Sequence, residues 1–350
     1  MFINTITRHR QPGRPGSQAG ETDIVIGLIN IMPRAAMRSI ESLFRRLLKA
    51  CHSPAKIHLR LFALPNSPGD TAEVPQGYED LNALWESPDS EMPLDALIVT
   101  GTEARASLMT DEPCWPALQE ICDWAGENTI STIWSCFSAH AAVLHMDNIH
   151  RQRLPEKLTG IFECASASSH PMLKNMPKQW AVPHSRYNNL NAAELAANGY
   201  EILSGSPSVG ADSFIKRHGN SAFLFLQGHL EYTPEMLLAE YCRDLKRFTL
   251  GQSAVCPKPP ANYIDGADLE ALAAVQMSMQ SSLDSSPSAA LLNAVTAKLN
   301  VEWQAPAQQL FTSWLGHIAA QKSARLSAQL TAAAFTVFRP SETPGCIAHS

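Results

Sequence analysis

The chain lacks any apolar run near the ~18 residues that a bilayer-spanning helix needs. Its basic N-terminal stretch (Arg8, His9, Arg10) is also not followed by the apolar core of a secretory signal. A membrane span and export are therefore not expected, and the cytoplasm is the default compartment. No Cys-x-x-Cys pair occurs among the eight cysteines, a pattern that fits neither a zinc ribbon nor a disulfide framework. Reduced thiols follow, most of them inert packing residues. Blocks of like charge are missing as well: the formal charge of −6 is dispersed, leaving no electrostatic footprint for nucleic acid or an anionic membrane surface. Internal repeats are absent. What remains is a 350-residue chain with 45% apolar content, enough for a large buried core with an appendage.

Continuous apolar runs punctuate the first half. Ile24 to Ile29, Ile57 to Phe62, Ala96 to Thr100 and Thr129 to Trp134 read as strands buried on both faces, as in a parallel sheet. Helical stretches separate them: Ala36 to Ala50, entered through a turn at Pro33, and Trp115 to Trp124. The alternation specifies an α/β fold with a mostly parallel sheet and helices on both faces. From Leu158 to Phe225 shorter strands and turns suggest an antiparallel extension, and Pro234 opens a helix to about Phe248. A Pro-rich linker at Cys256 to Pro260 leads to three expected helices, Ala267 to Met279, Ala289 to Leu299 and Ala307 to Ala320. The expected organisation is a flexible tail over 1–22, a catalytic domain over 23–250, a linker with C-terminal helices packed on it over 251–325, and a partly disordered tail over 326–350.

Cys136 stands where an apolar strand runs straight into a helix of small residues (Ser138, Ala139, Ala141, Ala142). A helix N-terminus favours a thiolate through its unpaired amides and dipole. The amide of Phe137 points toward the oxygen that gains charge when the sulfur attacks a carbonyl, and a second donor is expected from the loop that begins at Gly101, at Ala104. At the end of a later strand (Ala222 to Leu226), His229 and Glu231 follow Gln227 and Gly228. Two residues apart in extended chain, they point the same way. Together they supply a nucleophile, a base and a group to orient the base. His140 and His145 lie five positions apart, not the four that share a helix face, so no metal site is read there.

The elbow and the segment Gly228-His229-Leu230-Glu231-Tyr232 resemble the homoserine O-acyltransferase (homoserine O-succinyltransferase) family of methionine biosynthesis. The same holds for Asn30-Ile31-Met32-Pro33, Val99-Thr100-Gly101, Glu156-Lys157-Leu158-Thr159-Gly160 and Pro183-His184-Ser185-Arg186-Tyr187. The resemblance implies a class I glutamine-amidotransferase-like (flavodoxin-like) fold and a homodimer. It implies that Cys136 accepts an acyl group from acyl-CoA and passes it to the hydroxyl of L-homoserine, with His229 and Glu231 as partners in a ping-pong cycle. Arg243 would hold the amino acid, with Lys157, Ser185 and Arg186 in the same substrate site; an arginine suits a carboxylate. His184 is given a structural role. Acyl-CoA is a cosubstrate, and no tightly bound cofactor or metal is implied.

The chain departs from the family pattern after the nucleophile, where Phe137 and Ser138 replace a tryptophan and a small residue, and at His140, where glutamine is usual. It departs again at Arg105, the position that in the family selects the acyl donor. A cation there favours succinyl-CoA by pairing with the distal carboxylate, while its bulk favours acetyl-CoA; the charge argument is preferred. A glutaminase on the same triad and a non-catalytic regulator are the competing functions. Leu310, Phe311, Trp314 and Leu315 suit either a dimer contact or packing on their own subunit.

Overall fold

In the computed structural model, which describes residues 3–5, 20, 22–64, 74–84, 93–263, 270, 273–274, 277 and 301–337, the first apolar run divides its side chains between two cores. Ile24, Ile26 and Leu28 enter one core and Val25 and Ile29 the other, as the two-residue repeat of a strand requires. This strand, β2 (Ile24–Asn30), is buried at every position and lies inside a single sheet. Before it comes β1 (Ile3–Thr5); after it come α1 (Arg34–Ala50), β3 (Ile57–Ala63), a two-residue β4 (Glu79–Asp80) and β5 (Ala96–Val99). Next are α2 (Trp115–Asn128), β6 (Ser131–Ser135), α3 (Phe137–Asp147), β7 (Gln152–Ser166) and β8 (Gln179–Asn189). The chain continues through α4 (Ala192–Ala197), β9 (Glu201–Ser206), β10 (Gly210–His218), β11 (Ser221–Leu226), α5 (Pro234–Thr249) and α6 (Gln304–Val337).

The sheet runs β1-β3-β2-β5-β6-β11-β10-β9-β7-β8, with β4 beside β3. From β1 to β11 neighbours are parallel; from β11 to β8 they are antiparallel. Helices α1, α5 and α6 cover one face, contributing Phe44, Leu48, Leu238, Leu245 and Trp314. Helices α2 and α3 cover the other with Leu118, Ile121, Ala139 and Val143. The mostly parallel sheet, the helices on both faces, the antiparallel extension and a C-terminal helix are all present, as the apolar pattern predicts.

Several boundaries differ. Ile3–Thr5, inside the stretch expected to be flexible, pairs with Ile57 to Leu59 and completes an otherwise open edge. The strands of the extension are long: β7 spans 15 residues and β8 spans 11. Polar residues interrupt their apolar runs because one face of an antiparallel sheet meets solvent. Helix α6 continues past 325 to Val337. The helices expected over 267–279 and 289–299 lie outside the described residues, apart from helical positions 270, 273, 274 and 277.

The stripe on α6 packs on its own subunit. Leu310, Phe311, Trp314, Leu315 and Ile318 are all at most 1% exposed, and Trp314 Nε1 donates to Ser131 Oγ at 2.9 Å. Trp303 reaches further, donating from Nε1 to the carbonyl of Tyr232 at 3.2 Å. The positions open to either a dimer contact or the core belong to the core.

Candidate active site

Strands β6 and β11 are parallel neighbours, with Ser135 opposite Leu226. Their carboxyl ends therefore deliver Cys136 and the segment from Gln227 to Glu231 to one edge of the sheet, where parallel α/β sheets hold their sites. Cys136 makes the turn into α3 with φ 50° and ψ −106°, a conformation outside the ordinary range for an L-residue that costs about 1–3 kcal/mol. It is held by its amide, which donates to the Leu226 carbonyl at 2.7 Å, and by Ser138, whose hydroxyl donates toward the carbonyls of Val99 and Ser135 at 2.9 and 3.0 Å. The thiol is half-buried and opens on a cavity of about 700 Å³.

His229 donates from Nδ1 to Glu231 Oε1 at 2.9 Å, which leaves Nε2 for the Cys136 thiol that lines the same cavity. Burial by itself would lower the imidazole pKa, but Cys136 and Glu231 together outweigh it and raise it well above the usual value. The ring stacks on Tyr232 at a centroid distance of 4.3 Å, and the His229 amide donates to the Pro183 carbonyl at 2.8 Å. Gly228 makes that approach feasible. A Cβ there would lie 2.3 Å from Val182 Cγ1 and 2.8 Å from Asp212 Oδ1.

The loop after β5 forms the facing wall. A Cβ at Gly101 would sit 3.3 Å from Cys136 Cβ and 3.5 Å from the Phe137 nitrogen, so this glycine lets the loop close on the elbow. Ala104 lines the cavity together with Phe137. Glu112, 3% exposed, anchors the loop: both its oxygens accept from the Arg105 amide at 3.1 Å, and Oε1 also accepts from the Ala106 amide at 3.1 Å. The Arg105 side chain is exposed and not among the cavity-lining residues, unlike the donor-selecting position that its place in the sequence suggests.

The remaining candidates line the cavity but differ in availability. Lys157 on β7 donates to Asp244 Oδ2 at 2.6 Å and lies 3.6 Å from Glu240 Oε2. Ser185 on β8 donates to Glu240, which also accepts from the Tyr232 hydroxyl at 2.7 Å. Burial would raise the Glu240 pKa, yet Lys157 and Ser185 bring it below its ordinary value. Arg243 on α5 pairs with Asp244 through Nε and Nη2 at 3.1 and 2.9 Å while 41% of its side chain stays exposed.

Arg186 turns inward instead. Nε donates to His184 Nδ1 at 3.2 Å, Nη1 to the Asn188 carbonyl at 2.6 Å and Asn189 Oδ1 at 3.0 Å, and Nη2 to the Val209 carbonyl at 2.6 Å. Each of its nitrogens is committed to the protein, so its geometry is that of a brace under the floor. It lines the cavity all the same, with the other candidates. His184 is buried beneath it, in the structural place the sequence suggests.

Cys164, His184 and Asp212 form a buried group whose ligand-type atoms lie within 4.8 Å of one another. Because the Arg186 Nε–H donates to His184 Nδ1, the neutral ring carries its proton on Nε2, 3.3 Å from Asp212 Oδ1. That nitrogen offers a proton and not a lone pair, which disfavours a metal there. His140 donates from Nε2 to Gln227 Oε1 at 2.9 Å, and Gln227 passes on to the Ala211 carbonyl at 2.6 Å. Burial holds the His140 pKa down at about 3.

Sequence reasoning left four contributors unassigned. Tyr232 and Glu240 sit within or just after the quoted motif, and Glu240 is one turn before Arg243, which a helix-face argument brings together. Arg151 carries no local signal, because its partners come from another segment, and Glu112 accepts from backbone amides six and seven residues away, which no side-chain pattern marks.

A family model described as homoserine O-succinyltransferase matches residues 15–325. A homoserine O-succinyltransferase of Rhodopseudomonas palustris is 40% identical over 311 residues, covering 88% of this chain and 92% of that protein. One from Methylorubrum extorquens is 41% identical over 296 residues, 83% of this chain and 86% of that protein. A solved glutamine amidotransferase structure from Methylobacillus flagellatus matches at TM-score 0.45 and 11% identity, over 85% of this chain and 95% of that one.

Proposed function

The chain belongs to the homoserine O-succinyltransferase family, and from that membership we propose that it transfers a succinyl group from succinyl-CoA, through a thioester on Cys136, to the hydroxyl of L-homoserine. The observation that carries the reading is the conjunction of a strained, cavity-facing Cys136 with His229 bound to Glu231 at 2.9 Å. In this reading the Cys136 sulfur, its proton passed to His229, attacks the thioester carbonyl. The oxyanion is met by the amides of Phe137 and Ala104. As the tetrahedral intermediate collapses, the carbon–sulfur bond to CoA breaks and His229 protonates the departing thiolate. Homoserine then enters, His229 removes its hydroxyl proton, the oxygen attacks the acyl-cysteine, and the Cys136 thiolate leaves.

Arg243 receives the homoserine carboxylate, and Lys157 and Ser185 shape the same wall through Asp244 and Glu240. Arg186 keeps β8 and the floor in register. Glu231 fixes the tautomer of His229 and supports its charged form. The reading includes a homodimer, a place in methionine biosynthesis and a reducing cytoplasm in which seven described cysteines stand free. Acetyl-CoA is the alternative donor. Among the described residues no helix is long and apolar enough to cross a membrane.

Intact-mass measurement after mixing with succinyl-CoA tests the reading. A succinyl adduct on Cys136 that homoserine discharges to O-succinylhomoserine is expected. A folded sample that forms no adduct, or one that instead releases ammonia from glutamine, overturns it.

A further inference from the structure

Four buried side-chain nitrogens among the described residues have no hydrogen-bond partner: His58 Nδ1, Trp134 Nε1, Arg151 Nη1 and His184 Nε2. Of these residues only Arg151 lines the cavity that Cys136 opens on. Its side chain is 7% exposed. Its other terminal nitrogen is fully occupied, Nη2 donating to the carbonyls of Ala106 and Ser107 at 2.8 and 3.3 Å and to Glu112 Oε1 at 3.3 Å. The guanidinium carbon stands 5.6 Å from the centroid of the Phe137 ring, the residue immediately after the nucleophile. One edge of this arginine is thus fastened to the loop of Ala104, and the other edge is left without an acceptor beside the elbow.

A buried guanidinium N–H without an acceptor is costly, and such groups call for a specific explanation. A ligand carboxylate arriving from the cavity supplies one. The other cavity cations are engaged or face outward: Lys157 and Arg243 on Asp244, Arg247 on Glu103 at 2.5 Å, and Arg153 over the Tyr187 ring at 4.4 Å. Arg151 lines the cavity that Cys136 opens on, and its guanidinium stands by Phe137, so the side chain borders the space that an acyl chain attached to Cys136 enters. The phosphates of CoA, at the far end of that molecule, suit the exposed cations instead.

We propose that Arg151 Nη1 is the subsite for the distal carboxylate of the transferred dicarboxylic acyl group, and so the residue that makes this site select succinyl over acetyl donors. The inference rests on the acyl-transfer reading above and deepens it. It moves the charge role expected of Arg105 to a side chain that reaches the cavity. Phe137 packs the apolar stem of the acyl chain, and Glu112 holds the arginine so that only one edge remains to bind. A charge-assisted hydrogen bond of this kind is made by a carboxylate and not by a methyl group.

The test compares kcat/KM for succinyl-CoA, acetyl-CoA and a neutral donor carrying an amide in place of the distal carboxylate. Arg151→Gln is expected to lower the succinyl-to-acetyl ratio about a hundredfold and to abolish discrimination between the acid and amide donors. Arg151→Lys, which keeps a cation, restores part of the ratio. Wild-type discrimination between acid and amide donors needs no variant and stands if Arg151→Gln fails to fold. An equal fall for both donors, a rise confined to the KM of homoserine, or a ratio lost in Arg105→Glu and kept in Arg151→Gln each overturns the assignment. Wild-type protein that transfers succinyl and acetyl without preference overturns the subsite alone. Wild-type protein that forms no acyl-cysteine with either donor overturns the underlying reading.

Discussion

Cys136 carries a backbone conformation that an L-residue pays for, and its neighbour His229 carries a raised pKa; the two belong to one device. The imidazolium is held by Cys136 and Glu231 against a burial penalty. A histidine whose folded pKa lies above its unfolded value adds stability that is complete below about pH 6.5 and fades as the pH rises through the folded pKa. Removing the carboxylate charge with Glu231→Gln lowers that folded pKa, so the fade begins at lower pH. It also loosens the imidazole that takes the proton from the Cys136 sulfur. Alkylation by iodoacetamide at pH 7 is expected to slow about tenfold or more in this variant, and a rate equal to wild type refutes the coupling. Cys136→Ser and His229→Asn are each expected to cut acyl transfer by at least about a thousandfold, measured as product formed per enzyme.

Among elements, the end of β11 matters most, since it converts strand register into catalytic geometry. Gly228 stands where a side chain would press on Val182 and Asp212 from distances of 2.3 and 2.8 Å. Gly228→Ala therefore moves His229 away from Cys136. A fall in kcat of about a hundredfold is the expected result, with a loss of roughly 1–3 kcal/mol in denaturant stability. If kcat is unchanged, the close approach of Gly228, just past β11, to β8 is not what positions the base. Helix α6 sets a second case. Trp314→Ala removes a fully buried ring and its bond to Ser131, and about 3–5 kcal/mol of stability should go with it. Leu330→Ala, at a position 73% exposed on the same helix, should change stability by no more than about 0.5 kcal/mol. Equal effects at the two positions would mean that α6 does not belong to the core.

Taken whole, the molecule buries His140 and His184 where burial lowers their pKa values, and this shapes its response to acid. His140 has a folded pKa of about 3 because burial disfavours its charge. The unfolded chain binds that proton from pH 6.5 downward, so the contribution to stability is complete above pH 6.5 and is lost as the pH falls toward 3, at up to about 1.4 kcal/mol per unit. His140→Gln keeps a donor for Gln227 and removes the titration. Unfolding by denaturant at pH 7 and pH 5 should show a smaller loss in the variant than in wild type, and an identical loss would exclude His140 as a source.

The alternation of strands and helices along the chain, the two-sided sheet, the elbow at Cys136 and the pairing of His229 with Glu231 were legible in the sequence, because each depends on a period or spacing within a few residues. Apolar continuity gives buried parallel strands, and alternation places His229 and Glu231 on one side. Tertiary structure alone decided the partners of the charged groups. Arg186 and Arg151 read alike as arginines near motif residues, yet one is saturated by Asn188, Asn189 and Val209 while the other keeps a nitrogen unpartnered at the cavity. Arg105, adjacent to Ala104 in sequence, points outside the lining, and Glu112 closes the loop from farther along the chain. Long side chains choose among partners brought close by the packing of distant segments, and no local pattern encodes that choice.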